Sequence, residues 1–431
     1  MIYLRGALGI IILLALAWAM SSNRRKVPWR VIGGGLVLQF ILAGLILGTE
    51  WGLAVFEAIS DFFFRLISMA VPGAEMVFGE LGKGAEGELG FIFAFAGTGL
   101  VVILFFAALL GILYHLGVMQ FVIWCLARVM SATMRLSGAE SMAGAANIFV
   151  GQTEAPLVVR PYLSAMTMSE LNALMTGGFA TIAGSVLAVY IGVLGPEYGP
   201  HLLTASVMSA PAAFVMAKII RPETETPETW GKVPLRIERK ASNIIEAAAN
   251  GTQDGLKLYL NVVAMLIAFV ALIALVNWPL GWFGEAALNM PRVPEDGTAG
   301  DPLTLAKIFG WIFAPVAWCV GIEGWHDCNL FGSLLGTKMA VNEFVAFMNM
   351  TQINAAEAGT AGAWSDPRSA KIAAYALCGF SNFGSIGIQL GGISPLAPDR
   401  KTDLSRLALR AMLGATLASL TTATIAGMFV E

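Results

Sequence analysis

The stretch Gly151-Gln152-Thr153-Glu154-Ala155-Pro156 sets three polar side chains in succession between two apolar runs, SMAGAANIFV before it and LVVRPYL after it. Each run is too short to cross a hydrocarbon core, which takes about 20 residues of helix. Glycine at one end and proline at the other also make the hexapeptide poor helix interior. Two half-length helices meeting at a tip fit this pattern, so the segment is expected to be a re-entrant hairpin. Non-helical backbone at membrane depth is tolerated where it is buried in protein or lines a cavity. The same reading applies to Gly332 through Phe347, with Glu343 near the tip, and further helix breaks are expected at Gly177-Gly178 and at Gly379.

The rest of the chain supports a membrane setting. Of 431 residues, 57% are hydrophobic and 13% charged, against about 25% charged in soluble domains, and the mean hydropathy is +0.73. Spanning-length apolar stretches include Ile2 to Met20, Val31 to Leu47, Phe91 to Leu116, Leu171 to Leu194, Leu256 to Val276 and Leu404 to Val430. With the segments broken by polar residues, these predict an all-α polytopic protein of about eight transmembrane helices plus partial spans. Trp51 to Leu81 and Gln120 to Arg135 mix apolar residues with isolated charges, as interfacial helices do.

A formal charge of -3 without a basic, aromatic-interleaved patch excludes nucleic acid as a partner. Cys125, Cys319, Cys328 and Cys378 have no paired spacing and read as small buried hydrophobes. Ala17, Trp18 and Ala19 imitate a signal-cleavage motif, but Arg5 alone precedes the apolar run while Arg24, Arg25, Lys26 and Arg30 follow it, so a retained first helix is expected. Basic clusters at Arg24 to Arg30, at Lys218 and Arg221 through Lys240, and at Arg400 to Arg410 should be cytoplasmic by the positive-inside rule. Both termini are then expected outside.

The charged, proline-bearing stretch RPETETPETWGKVPLRIERK from Arg221 reads as a solvated linker, and Arg292 to Asp301 as an aqueous loop. The chain divides into scaffold spans and interfacial helices (1–136), a first repeat with hairpin and broken helix (137–220), the linker (221–242), further scaffold helices (243–329), and a second repeat with its last span (330–431). The repeat rests on GFATIAG from Gly178 against GFSNFGS from Gly379, with Thr153-Glu154 upstream of the first and Asn342-Glu343 upstream of the second.

Glu154 and Glu343 carry the strongest signal for function. A carboxylate near the bilayer centre costs about 2.5–3.5 kcal/mol on insertion scales, which calls for a polar cavity or partner unless the residue sits at a water-exposed helix end. Gln152, Thr153 and Asn342 beside them favour a cavity of converging hydrogen-bonding groups. Interrupted segments at matching places in two halves mark the midplane site of a secondary transporter built on inverted repeats. A sodium ion there needs oxygen ligands, and Asn147, the Val150 carbonyl, and Thr181 with the Ile182 carbonyl are candidates; interhelical hydrogen bonding is the alternative role for Asn147 and Thr181. Glu323, His326, Asp327 and Cys328 are too contiguous for a tetrahedral zinc site. His115 and His201 stand isolated, and no P-loop, nucleophile elbow or HExxH motif is present.

GQTEAPLVVRPYL followed by MTMSELNALMTGGFATIAGSVLAVYIG, and GTKMAVNEFVAF followed by ALCGFSNFGSIGIQLGGI, closely resemble the two signatures of the concentrative nucleoside transporters. The resemblance runs from about Ser137 to the C-terminus and is weaker before it. It implies a cation-coupled nucleoside importer of the cytoplasmic (inner) membrane, a homotrimer whose protomers have eight spans, two re-entrant hairpins and interfacial helices, and no resident cofactor. By motif position, Gln152, Thr153 and Glu154 would contact the base with Val186 lining the pocket; Glu343, Asn382 and Ser385 would bond the sugar hydroxyls and Phe380 would pack on the substrate. The sodium site would comprise Asn147, Val150, Thr181 and Ile182, with threonine still supplying a hydroxyl. Sodium coupling is therefore expected. Proton coupling through Glu154 or Glu343 is the alternative, and a passive channel or intramembrane enzyme a remote one.

Overall fold

The structure is a computed structural model that describes residues 2–78, 101–231, 241–291, 302–357, 359–360 and 362–430. The expected aqueous loop at Arg292 to Asp301, most of the linker's second half and the start of the Phe91 to Leu116 segment lie outside the described residues. Among the described residues every regular element is helical, in keeping with the all-α expectation. Six helical segments among the described residues are long and apolar enough to cross a bilayer, and up to eight if each of two bent pairs counts as a span. The protein is a multi-pass membrane protein.

Burial separates these segments into two groups. In their most apolar 18-residue stretches, 94% of residues are buried in Pro196–Ile220 and 83% in both Met168–Leu194 and Pro398–Gly427, but 28% in α1 (Ile2–Ala19) and in α2 (Trp29–Ile46). The inner helices can pack because their side chains are small. The last helix carries LGATLASLTTATIAG, and its hydroxyls at Thr416, Ser419, Thr421 and Thr424 donate to the carbonyls of Met412, Ala415, Leu417 and Leu420. These four hydroxyls are thus satisfied within the helix, Ser419 also reaching the Cys378 carbonyl, while the hydroxyl of buried Thr422 has no partner among the described residues.

Around this core run α3 (Glu50–Phe78), α4 (Val102–His115) and α5 (Val118–Met134), the last turned 78° from α4 at Leu116-Gly117. The Gln120 to Arg135 segment, read as an interfacial helix, falls within α5 up to its C-cap Arg135. The expected first hairpin begins with α6 (Gly138–Asn147), whose N-terminus is closed by a Ser137/Glu140 capping box. Its return arm differs from the expected half-helix. Ala155 to Ala165 forms one α-turn, α7 (Ala155–Val158), and then a 3-10 turn at Arg160–Ala165: Pro156 sits in the first turn, where proline is tolerated, but Pro161 has no N–H to bond the Leu157 carbonyl and so prevents the α-helix from continuing.

A broken helix follows, α8 (Met168–Ala180) and α9 (Gly184–Leu194), and then α10 (Gly199–Ile220). The break is at Thr181–Ala183 and not at Gly177-Gly178, where it was expected. Those glycines are continuous helix and serve as space instead: a Cβ on Gly178 would stand 3.0 Å from the Gln152 Cβ, and one on Gly177 would stand 3.2 Å from the Asn147 amide nitrogen. The described part of the linker also departs from a freely solvated strand. The carbonyl of buried Thr229 accepts from Gly138 N–H and its hydroxyl from Ala139 N–H, which caps α6 from outside.

The second half repeats the plan. The 45-residue α11 (Ile244–Leu288) leads to α12 (Leu305–Val320), which turns 111° into α13 (Trp325–Ala340). α13 meets α14 (Glu343–Ala355) at a two-residue break, where the Asn342 side chain accepts from Val345 N–H as the N-cap. Then come a second broken helix, α15 (Pro367–Leu377) and α16 (Phe383–Ile393), and the closing α17 (Lys401–Gly427). The expected break at Gly379 is present.

Candidate functional site

The two broken helices touch at their breaks. Gly379 has φ of 141°, a region that favours glycine, and a Cβ there would lie 2.8 Å from the Ala180 carbonyl oxygen and 3.1 Å from that of Phe179. The end of α8 therefore rests on the bare backbone of the second break. Thr181 and Asn382, matched in the sequence repeat, both fall in these interruptions.

On one side of the crossing lies the tip after α6. The Phe149 carbonyl accepts from Gly184 N–H at 2.9 Å and the Ile148 carbonyl from the Ser206 hydroxyl at 3.0 Å, tying the tip to the first break and to α10. Asn147 is 1% exposed, yet neither atom of its amide has a hydrogen-bond partner among the described residues. Buried amides are ordinarily paired, so an orphan here needs a reason. Val150, Thr181 and Ile182 are buried as well, and the Thr181 hydroxyl donates to the Gly177 carbonyl at 2.9 Å. An amide oxygen, a hydroxyl and carbonyls of unwound backbone are the donor types that an alkali cation takes.

On the other side, a hydrogen-bonded chain joins both halves. Glu343, 6% exposed, accepts from the Tyr190 hydroxyl at 2.8 Å on one oxygen and from the Asn382 amide at 3.0 Å on the other. The Asn382 oxygen caps α16 by accepting from Ser385 N–H at 2.8 Å. The Gln152 amide donates to the Ser385 hydroxyl at 3.3 Å, while the Gln152 oxygen lacks a partner among the described residues. The structure thus brings Gln152, Glu343, Asn382 and Ser385 into one array.

Thr153 donates to Glu154 at 2.9 Å and packs on Gly392 of α16. Glu154 is exposed, in contrast to Glu343, so the two acids that looked alike in sequence sit in different surroundings. Val186 is buried one helical turn before Tyr190 on α9, and Phe380 is half-buried within the second break.

Three polar residues escape a sequence reading. Tyr190 looks like an ordinary core aromatic, and its ring does pack against Phe347 with centroids 4.6 Å apart. Gln389 is fully buried and donates to the Met175 carbonyl at 3.0 Å. Lys338, also fully buried, donates to the Ala376 carbonyl at 2.9 Å; a lysine inside the apolar run GSLLGTKMAV was the signal available for it. Tyr190→Phe removes a donor from a buried carboxylate and is expected to cost roughly 1.5–3 kcal/mol, read as a lower Tm of the detergent-purified protein. An unchanged Tm would remove Tyr190 from the network.

Paired helix breaks crossing inside a bundle of small-residue helices, with buried polar groups drawn from both halves, define a secondary transporter. Sequence comparison gives the family. Residues 201–427 match the Na+ dependent nucleoside transporter C-terminus, residues 8–81 the corresponding N-terminus, and residues 98–197 a gate region described as nucleoside recognition. The chain belongs to the Na+-dependent, or concentrative, nucleoside transporters, and is a transporter rather than an enzyme. It is 42% identical over 432 residues to an uncharacterized transporter of Haemophilus influenzae, covering 99% of this chain and 98% of that one. It is 39% identical to the mouse sodium/nucleoside cotransporter 1 over 97% of this chain and 63% of the mouse protein. The solved structure of CNTnw in an inward-facing substrate-bound state superposes with a TM-score of 0.88 at 38% identity, covering 100% of this chain and 98% of that one. A double variant of CNTnw in an outward-facing state gives 0.87 at 38% identity over the same shares.

Proposed function

We propose that this protein is a sodium-coupled symporter that imports nucleosides across the cytoplasmic membrane by alternating access. The observation that carries the reading is the array from Gln152 through Ser385 and Asn382 to Glu343, which joins the two halves beside the orphaned amide of Asn147. Gln152, Thr153 and Glu154 would read the base, with Val186 lining the pocket. Glu343, Asn382 and Ser385 would take the sugar hydroxyls, with Phe380 against the ring. Hydroxyl donors on the sugar suit Glu343, whose ionised oxygens are acceptors only.

Sodium at Asn147, Thr181 and the Val150 and Ile182 carbonyls would hold the tip against the first break. The same tip carries Gln152 toward Ser385, so ion and substrate would each favour the same closed arrangement, which is the condition for coupling. The hairpin segments would enter and leave the membrane on one side, and the buried inner helices would move as a unit against the outer ones. Outer helices that expose Ile267, Leu275 and Trp278 suit lipid and neighbouring protomers of a homotrimer. Both termini would face outward.

The test is uptake of labelled uridine and adenosine into proteoliposomes with sodium and pH gradients imposed separately. A sodium gradient alone should drive accumulation above the external concentration; uptake that ignores sodium and collapses with an uncoupler would overturn sodium coupling. Asn147→Ala should raise the half-saturating sodium concentration by about tenfold or more, since one ion ligand is worth at least about 1.4 kcal/mol. An unchanged sodium dependence would take Asn147 out of the ion site.

A further inference from the structure

Set with their acids in register, the two hairpin tips read NIFVGQTE (147–154) and GTKMAVNE (336–343). They differ in one chemical respect. Where the first offers the neutral amide of Asn147, the second carries, within the same helical turn, the ammonium of Lys338. Between 136 and 217 the first half has a single lysine or arginine, Arg160, six residues past Glu154 and exposed, so the first tip has no buried cation to match Lys338. The Glu154 carboxylate accepts from the neighbouring Thr153 hydroxyl.

Lys338 closes α13, and no part of it is exposed. Its ammonium lies 2.9 Å from the Ala376 carbonyl in the last turn of α15, where that half-helix ends at the second break. Exposed carbonyls at a helix C-terminus carry partial negative charge and favour a cation. Glu343, across the two-residue break from α13, lies within electrostatic reach of Lys338, as does the Cys378 thiol. The Tyr190 hydroxyl faces Glu343 from α9. A lone ammonium or a lone carboxylate at this depth is costly, and a buried pair is tolerable where hydrogen bonds satisfy both members. Here they do: Glu343 has Tyr190 and Asn382, and Lys338 has Ala376.

We propose that Lys338 is a resident counter-charge of the second half, holding at the α15 break and beside Glu343 the place that a coupling cation holds in the first half. The cation demand of the transport cycle then falls on the half containing Asn147 and Glu154, and the Glu343 half binds the sugar without an ion of its own. Lys338 is a positioning residue: it acts through Glu343 and through the end of α15. The inference rests on the cation-coupled reading above and deepens it.

The experiment compares the full-length protein with Lys338→Arg, Lys338→Met and Lys338→Met/Glu343→Gln in proteoliposomes and in detergent. Lys338→Arg, which keeps the charge, should retain the wild-type steepness of uridine uptake against sodium. Lys338→Met should lower uptake by about tenfold or more at the wild-type half-saturating sodium concentration, and the residual uptake should depend more steeply on sodium and carry extra positive charge per uridine. Wild-type rate and sodium dependence in Lys338→Met would overturn the proposal. If Lys338→Met does not fold, the double variant decides: without Glu343's charge no counter-charge is needed, so folded yield and sodium-dependent thermal stabilisation should return. A double variant as defective as Lys338→Met would overturn the proposal equally. Failure of sodium coupling itself would appear in the wild type, as uptake driven by a pH gradient alone, and the same comparison would then be run against proton concentration.

Discussion

Glu343→Gln is expected to reduce nucleoside uptake by about a hundredfold while leaving the protein folded. The substitution keeps the shape of the side chain but changes what it offers. Glu343 presents two acceptor oxygens, one to Tyr190 and one to Asn382; glutamine presents one acceptor and one donor. Whichever way the amide turns, an NH2 group meets either the Tyr190 hydroxyl or the Asn382 amide. The hydroxyl can reverse and accept, but the Asn382 nitrogen cannot, so the amide is expected to turn its nitrogen toward Tyr190. A sugar hydroxyl arriving at this site then loses a charged acceptor. Hydrogen bonds to charged groups contribute about 1.5–3 kcal/mol each, which is about ten- to more than a hundredfold in kcat/KM. A cycle with deoxynucleosides separates this from general damage. If Glu343 holds a sugar hydroxyl, removing that hydroxyl should hurt the wild type strongly and the variant little. Equal losses in both, or uptake in the variant close to wild type, would show that Glu343 does not touch the sugar.

The membrane architecture and the candidacy of Gln152 and Glu343 were legible because each depends on a local contradiction, whereas Asn382 came from the internal repeat and Ser385 only from the family resemblance. Polar and acidic residues at Gln152-Thr153-Glu154 and Asn342-Glu343 interrupt apolar sequence at lengths that cannot span, and that is visible without coordinates. What was not legible depended on which neighbour a residue meets. Gly177-Gly178 read as a break because glycine is a poor helix former, yet in the fold its use is to admit Asn147, Gln152 and Gln389 close to the backbone of α8. Tyr190 carried no signal, since a tyrosine within VLAVYIGVL is most simply core; its hydroxyl matters because α14 brings a carboxylate to it. Glu154 and Glu343 looked equivalent, and the difference between an exposed and a buried acid came only from packing. The return arm after GQTEAP was a matter of degree, with Pro161 stopping an expected half-helix after one α-turn and leaving a 3-10 segment.

The crossing of the two breaks makes the second strong prediction, and glycines elsewhere on the same element supply its control. Gly379→Ala is expected to be severely destabilising. The residue would have to hold a φ of 141°, and its methyl would meet the Ala180 carbonyl at 2.8 Å, a backbone atom that cannot swing aside as a side-chain tip can. Strain of that backbone kind costs about 1–3 kcal/mol and overpacking a further 1–3 kcal/mol or so. Gly387 and Gly391 on α16 face open space, so alanine at either should be neutral or stabilising by up to about 1 kcal/mol through helix propensity. The Tm of the three purified variants tests this directly, with Gly379→Ala well below wild type and the other two at or above it. The site adds a second consequence. Gly379 separates the end of α8, which leads to Thr181 and Ile182, from the break that leads to Asn382. Pushing these backbones apart should weaken sodium-dependent and nucleoside-dependent thermal stabilisation together, whereas Asn147→Ala acts first on the sodium term. A Gly379→Ala protein with wild-type Tm and both ligand responses intact would mean that the two breaks do not bear on one another, and the shared site built on their contact would fall with it.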